Sequence, residues 1–442
     1  VNVSLTQAIF FLALGIVVII VLTARYRLHA FFALMIACLV TGFGLQMHLP
    51  VLLEVTRQGF GNVMKSLGFI IVLGTTLGAL LEHSGSTRVM AGYILKKVGE
   101  RNASLAISLT GFLVGLPVFC DSGFIVLSGL NNSLARRTGI SVVIMSVSLA
   151  SGLYAVHCLV PPHPGAAAAA TALQVDFGKM LFFGILVALP AMLVGHVWAS
   201  WIGKKIPHRK PPAENAAEIH ARQPSVAAAF LPVVVPILLI AARSFWSTGS
   251  TQRLWSRDIL ALGDPVYALS IGVILAFLSK KSWKTSELAV LLHDAVEKAG
   301  NILIITGAGG AFGAVLAASN LGAGLSHTSL LHGAGILFPF GVAAVLKTAQ
   351  GSSTVAIITA AAIVQPLLVT IGLATGNGPL LCVLAMGAGS MMISHVNDSY
   401  FWVIARFSGL DVKTMLSVYS VATAGMGLIA FASVYLLSLI IG

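Results

Sequence analysis

Phe119-Cys120-Asp121-Ser122-Gly123 interrupts an apolar stretch over about 103–137, and Gln350-Gly351-Ser352-Ser353-Thr354 interrupts another over about 333–366. Each interruption leaves two apolar arms too short to cross comfortably a hydrocarbon layer of about 30 Å, which takes about 20 helical residues. Backbone that stops inside lipid leaves N–H and C=O groups unpaired, so these arms read as helical hairpins that enter the membrane and return on the same side. Around them lie uninterrupted runs of spanning character at roughly 5–22, 30–46, 66–82, 180–201, 229–246, 264–279, 302–320 and 414–440. Two further segments, 141–174 and 379–405, are long but broken internally by polar residues or proline.

Composition agrees. Of 442 residues, 57% are hydrophobic and 9% charged, where a soluble domain carries about a quarter charged. That is too little charge to coat two or three water-soluble domains, and a polytopic all-α membrane protein remains. Lys and Arg outnumber Asp and Glu by 26 to 14, but they sit in short segments between apolar runs, without the aromatic-interleaved stripe of a nucleic-acid surface. Cys38, Cys120, Cys158 and Cys382 form no CxxC pair, so neither a disulfide framework nor a structural metal is expected. The run from Leu5 to Leu22 has no basic lead and no small-residue cleavage site, and reads as a retained span, not a signal peptide. Assigning 23–29, 83–102, 135–140, 202–228, 279–299 and 405–413 to the cytoplasmic side places 19 of the 26 Lys and Arg there, with both termini outside.

The two halves repeat. Gly61-Asn62, Gly68, Gly74 and Leu77 recur at a constant offset of 239 as Gly300-Asn301, Gly307, Gly313 and Leu316, and Asp176…Met180-Leu181 recurs as Asp411…Met415-Leu416. Five crossings plus one hairpin per half is an odd number, so the second half must lie inverted. The expected organisation is a first repeat over 1–202 (hairpin 103–137, broken helix 141–174), a cytoplasmic linker over 203–228, and a second repeat over 229–442 (hairpin 333–366, broken helix 379–405). Inverted repeats with broken elements are the plan of secondary transporters, whose sites lie at the midplane between the breaks.

Twelve of the fourteen acidic residues fall in loops, the linker or amphipathic segments, whereas Asp121 and Asp398 fall inside the broken elements. A charge at membrane depth costs about 3 kcal/mol or more unless it is neutralised, paired or hydrated, which marks both as functional candidates. The bland alternative is helix capping, and capping does not exclude proton exchange. The first broken helix reads His157-Cys-Leu-Val-Pro161-Pro162-His163-Pro164, and its prolines free backbone groups that neighbours, water, ions or substrate must satisfy. His157, His163 and the matching His395 either titrate, hold an anion when protonated, or bond freed carbonyls. No HExxH or His/Cys cluster accompanies them, so no metal or cofactor is expected. At the second tip, Gly351 permits a tight turn, and Ser352, Ser353 and Thr354 open a helical arm whose free N–H groups suit a carboxylate. Lys347 has three options: a substrate carboxylate, Asp398, or snorkelling outward. The run Gly307-Ala-Gly-Gly310-Ala-Phe-Gly313 invites a nucleotide reading, but with no strand before it inside a membrane run, close helix packing explains it better.

Gly115-Leu-Pro-Val-Phe-Cys-Asp-Ser-Gly-Phe124, His157 to Pro164, Gly307 to Phe312, Ala349-Gln-Gly-Ser-Ser-Thr-Val-Ala356 and Ser394-His-Val-Asn-Asp-Ser-Tyr-Phe-Trp402 together resemble the gluconate permease (gluconate:proton symporter) family over essentially the whole chain. The resemblance implies paired re-entrant hairpins and broken helices in an elevator-type transporter with a dimerising scaffold, whose members carry gluconate, other sugar acids or D-serine. It also implies that Asp121, Ser122, Ser352, Ser353, Thr354, His157 and His395 to Asp398 converge on one site. Many members have Val between the acid and the glycine of the first tip, where this chain has Asp121-Ser122-Gly123.

The resulting expectation is a multi-pass protein of the bacterial inner membrane, not an enzyme, that imports gluconate or a related carboxylate with protons. Its partners are that small molecule, protons, lipid and a second copy of the chain in a homodimer, with no nucleic acid. Candidate substrate-binding residues are Asp121, Ser122, Gly123, His157, His163, Gly351, Ser352, Ser353, Thr354, His395, Asn397 and Asp398, with Asp121 or Asp398 taking the proton. The alternatives are uptake of D-serine or another small hydroxy or amino acid, sodium as the coupling ion, and cation/proton antiport.

Overall fold

The computed structural model describes residues 5–99, 102–206, 223–246, 261–280, 283–318 and 333–442, which are helical with no strand among them. The first half comprises α1 (Leu5–Ile20), α2 (Ala30–Gly44), α3 (Leu49–His83), α4 (Ser86–Val98), α5 (Ala103–Gly115), α6 (Cys120–Thr138), α7 (Val142–Leu159), α8 (Pro164–Ala172) and α9 (Phe177–Gly203). The second comprises α10 (Val226–Trp246), α11 (Pro265–Leu278), α12 (Thr285–Ala318), α13 (Leu337–Gln350), α14 (Ser353–Val364), α15 (Gly378–Ser390), α16 (Ser399–Ser408) and α17 (Val412–Ile441). Most of the linker over 203–228 lies outside the described residues. Six helical segments among the described residues are long and apolar enough to cross a membrane.

α3 and α12 start at 49 and 285, where hydropathy alone starts the spans at 66 and 302, an extension of 17 residues in each case. The reason is amphipathicity. Arg57, Gln58, Asn62 and Lys65 in one helix, and His293, Asp294, Glu297 and Lys298 in the other, lower the mean hydropathy without breaking the helix. The two helices cross in close contact. A Cβ on Gly59 would lie 2.6 Å from the Gly310 carbonyl oxygen, and one on Gly310 would lie 2.8 Å from that of Gly59. The glycine-rich run of α12 is therefore a helix-packing surface.

Around this crossing the contacts of the two halves correspond. α2 packs on α12, and α11 on α3; α5 packs on α7, and α13 on α15; α6 packs on α16, and α14 on α8. The second arm of each hairpin thus lies against the broken helix of the other half. The broken helices form the centre: every residue from Val142 to Leu159 is buried, as is every residue of α15 except Pro379, and α14, the second arm of the second hairpin, is buried except at Thr354. The repeated Asp-x-x-x-Met-Leu segments are helix starts. Asp176 accepts from the Lys179 N–H at 2.8 Å and Asp411 from the Thr414 N–H at 2.7 Å, each as the N-cap of the helix it opens.

Candidate functional site

The arms of the first hairpin are joined by Leu116–Phe119, where Pro117 cannot continue the helix. Asp121 falls in the first turn of α6, one residue past the start, and does not cap it: the N-cap is Phe119. Its Oδ1 is buried without a hydrogen-bond partner. The positive end of the helix dipole favours a negative charge here, but among the described residues no cation bonds it.

The second tip is built differently. Gly351 ends α13 at φ +81°, a conformation that favours glycine, and a Cβ there would strike the Asn397 carbonyl. Ser352 caps α14, accepting from the Val355 N–H at 3.3 Å. Lys347 is fully buried and donates to the Gly351 carbonyl at 2.5 Å and to Asp398 Oδ2 at 2.6 Å. Asp398, only 5% exposed, is the N-cap of α16, with Oδ1 accepting from the Tyr400 N–H at 3.0 Å and Oδ2 from the Ser394 hydroxyl. Of the options the sequence leaves open for Lys347, pairing with Asp398 is the one observed. The carbonyls left free at the end of α13 are also taken: Asn397 Nδ2 donates to Thr348 at 2.8 Å and to Ala349 at 3.2 Å, and His395 Nε2 donates to Thr348 at 2.9 Å.

At the first break, His163 Nε2 donates to the Gly115 carbonyl at 2.6 Å, tying the break to the end of α5. His157 lies 4.9 Å from it, ring centroid to centroid, with Nε2 3.4 Å from the Thr354 hydroxyl and Nδ1 buried without a partner.

These elements enclose a cavity of about 260 Å³, close to the lower end of the range for small-molecule sites. Asp121, His157, Ser352, Ser353, Thr354 and Asp398 line it; Ser122, Gly123, His163, Gly351, His395 and Asn397 do not. Gly123 faces Leu153 in a helix contact, while His163, Gly351, His395 and Asn397 hold the tips and breaks in place. Sequence reasoning missed Tyr154, Tyr400 and Asn301, which also line the cavity. Tyr154 lies three residues before His157, on one helix face, and Asn301 belongs to the repeated Gly-Asn pair; either signal pointed to the site.

The arrangement has a definite charge balance. α6, α8, α14 and α16 each contribute first-turn or capping residues to the lining, so four helix N-termini converge on one cavity. Each carries roughly half a positive charge. Lys347 and Asp398 cancel, leaving Asp121 to balance the partial charges.

Comparison with known proteins gives the family. Residues 7–440 match the model of the GntP family permeases. The chain belongs to this family. A gluconate permease of Pseudomonas aeruginosa is 33% identical over 96% of this chain and 96% of its own length. The D-serine transporter DsdX of Escherichia coli O6:H1 is 31% identical over 97% of this chain and 98% of its own. The crystal structure of the YdaH transporter of Alcanivorax borkumensis shares the fold, with a TM-score of 0.63, 16% identity and coverage of 89% of this chain and 90% of that one. This permease is thus a multi-pass inner-membrane protein and not an enzyme.

Proposed function

We propose that this permease imports gluconate or a related sugar acid together with protons, and that Asp121 carries the proton. The supporting observation is the charge balance of the cavity: four helix N-termini, one internally neutralised ion pair, and one carboxylate to which no cation is bonded among the described residues. In the empty site the Asp121 carboxylate answers the helix ends. When Asp121 takes a proton that negative charge is gone, and a substrate carboxylate restores it, so proton and anion enter as a neutral pair. Ser352, Ser353, Thr354 and the N–H groups of α14 meet the carboxylate, while His157, Tyr154 and Tyr400 line the space for the hydroxyl-bearing chain. The family relatives named for gluconate and for D-serine support a small polar carboxylate as cargo.

The two halves, 1–202 and 229–442, are on this reading inverted repeats; their corresponding helix contacts support it. The hairpins and broken helices move as a unit against α3 and α12. A second cavity of about 330 Å³ lies among α3, α12, α8 and α14, with many Gly and Ala residues in its lining, and such small side chains let packed surfaces slide.

The test is uptake of labelled gluconate into proteoliposomes under an inward proton gradient without sodium, with D-serine as competitor. Accumulation that collapses with a protonophore supports proton symport of gluconate. Transport of D-serine alone overturns the substrate, and ion flux without organic cargo overturns symport.

A further inference from the structure

One wall of the cavity belongs to neither hairpin nor break. Asn301, Ile302 and Ile305 project from α12 into it, on one helix face. Of these three, Asn301 is polar, and it is held from behind. His29 is the N-cap of α2, where its Nδ1 accepts from the Phe31 N–H at 3.3 Å. A neutral imidazole whose Nδ1 accepts carries its proton on Nε2, and His29 Nε2 lies 2.8 Å from Asn301 Oδ1. The tautomer therefore fixes the amide: Oδ1 faces His29 as acceptor, and Nδ2 keeps its N–H donors, which have no protein partner among the described residues; both side chains belong to exposed residues, so a molecule in the cavity can reach the amide.

We infer that Asn301 is a substrate contact on the α12 wall, donating from Nδ2 to an oxygen of the bound acid, and that His29 is the residue that positions it. The inference rests on the reading that this cavity holds a polyhydroxylated carboxylate. It adds a contact from outside the hairpin and broken-helix unit. The four helix ends select for negative charge, whereas an amide held in one orientation discriminates by the position of an oxygen. A bond from α12 to the cargo exists only while the moving unit rests against that face of α12, so it favours one end of the transport stroke.

The experiment uses the full chain, purified and reconstituted, with gluconate as the probe. The wild type is measured first: if it neither moves gluconate nor melts at a higher temperature in its presence, the proposed substrate has failed and the variants say nothing against Asn301. With an active wild type, Asn301→Ala raises KM for gluconate about fivefold to tenfold, the worth of one hydrogen bond, with kcat within about twofold, and it weakens the gluconate-induced melting shift. Asn301→Asp is isosteric and keeps the acceptor for His29, but replaces the donor by a carboxylate, and loses more affinity than the alanine variant. His29→Ala raises KM by about twofold to threefold, His29→Gln restores it through its own amide N–H, and His29→Ala adds nothing on top of Asn301→Ala. Unchanged KM in both Asn301 variants overturns the contact; independent, multiplicative effects of the two alanine variants overturn the positioning role.

Discussion

The first and second hairpin tips border the same cavity, and the carboxylates beside them, Asp121 and Asp398, are held in opposite ways. Asp398 is saturated: Lys347, the Ser394 hydroxyl and the Tyr400 N–H occupy its oxygens. Asp121 has one buried oxygen with no partner, and no cation bonded to it, among the described residues. The helix contacts around the cavity correspond between the halves, yet the chemistry does not. Asp121 comes from the first hairpin and Asp398 from the broken helix of the other half; one buried lysine, Lys347, turns Asp398 into a fastener, and on the proposed reading Asp121 is the group that exchanges a proton.

The contrast is broken most severely at Lys347. Lys347→Met strands Asp398 as an unpaired buried charge, at a cost of about 3–5 kcal/mol, read as a large drop in melting temperature of the purified protein. Combining it with Asp398→Asn removes the stranded charge and restores most of that loss. Gly351→Ala comes next. The left-handed backbone and the approaching Asn397 carbonyl cost about 1–3 kcal/mol, and thermal denaturation should register the loss, while Gly123→Ala, near the first tip, meets side-chain atoms of Leu153 instead of backbone. Ser352→Ala removes the cap of α14 for about 1 kcal/mol and raises KM for the carboxylate. At the small end, Ser122→Ala alters stability by less than about 0.5 kcal/mol and uptake by less than about twofold, since Ser122 does not line the cavity; a large effect there would mean that the first tip changes shape during transport.

Much of this was legible in the sequence because interruptions of apolar runs are costly in lipid. Asp121 and Asp398 stand out from the twelve other acidic residues by position alone, and the prolines at 161, 162 and 164 mark the first break. The length of α3 and α12 was not legible from hydropathy, since a polar face inside a helix looks like a loop to an average, and Asn301 was lost with it. Nor does sequence spacing tell a lining side chain from a supporting one. His157 and His163 lie in one motif, but only His157 borders the cavity while His163 is spent on the Gly115 carbonyl. That division depends on which carbonyls the turn leaves free, and turn geometry at a proline-rich break is set by the elements packed on it.

The most direct measurement is proton entry into liposomes holding a pH-sensitive dye, triggered by external gluconate, for Asp121→Asn beside the wild type. The wild type should acidify the lumen when gluconate enters and, with one proton per substrate, accumulate it about tenfold for each unit of pH gradient. Asp121→Asn, neutral at every pH, should still exchange gluconate across the membrane while showing no gluconate-triggered acidification and no accumulation. Acidification that persists in Asp121→Asn would contradict the assignment of the proton to the unpaired carboxylate.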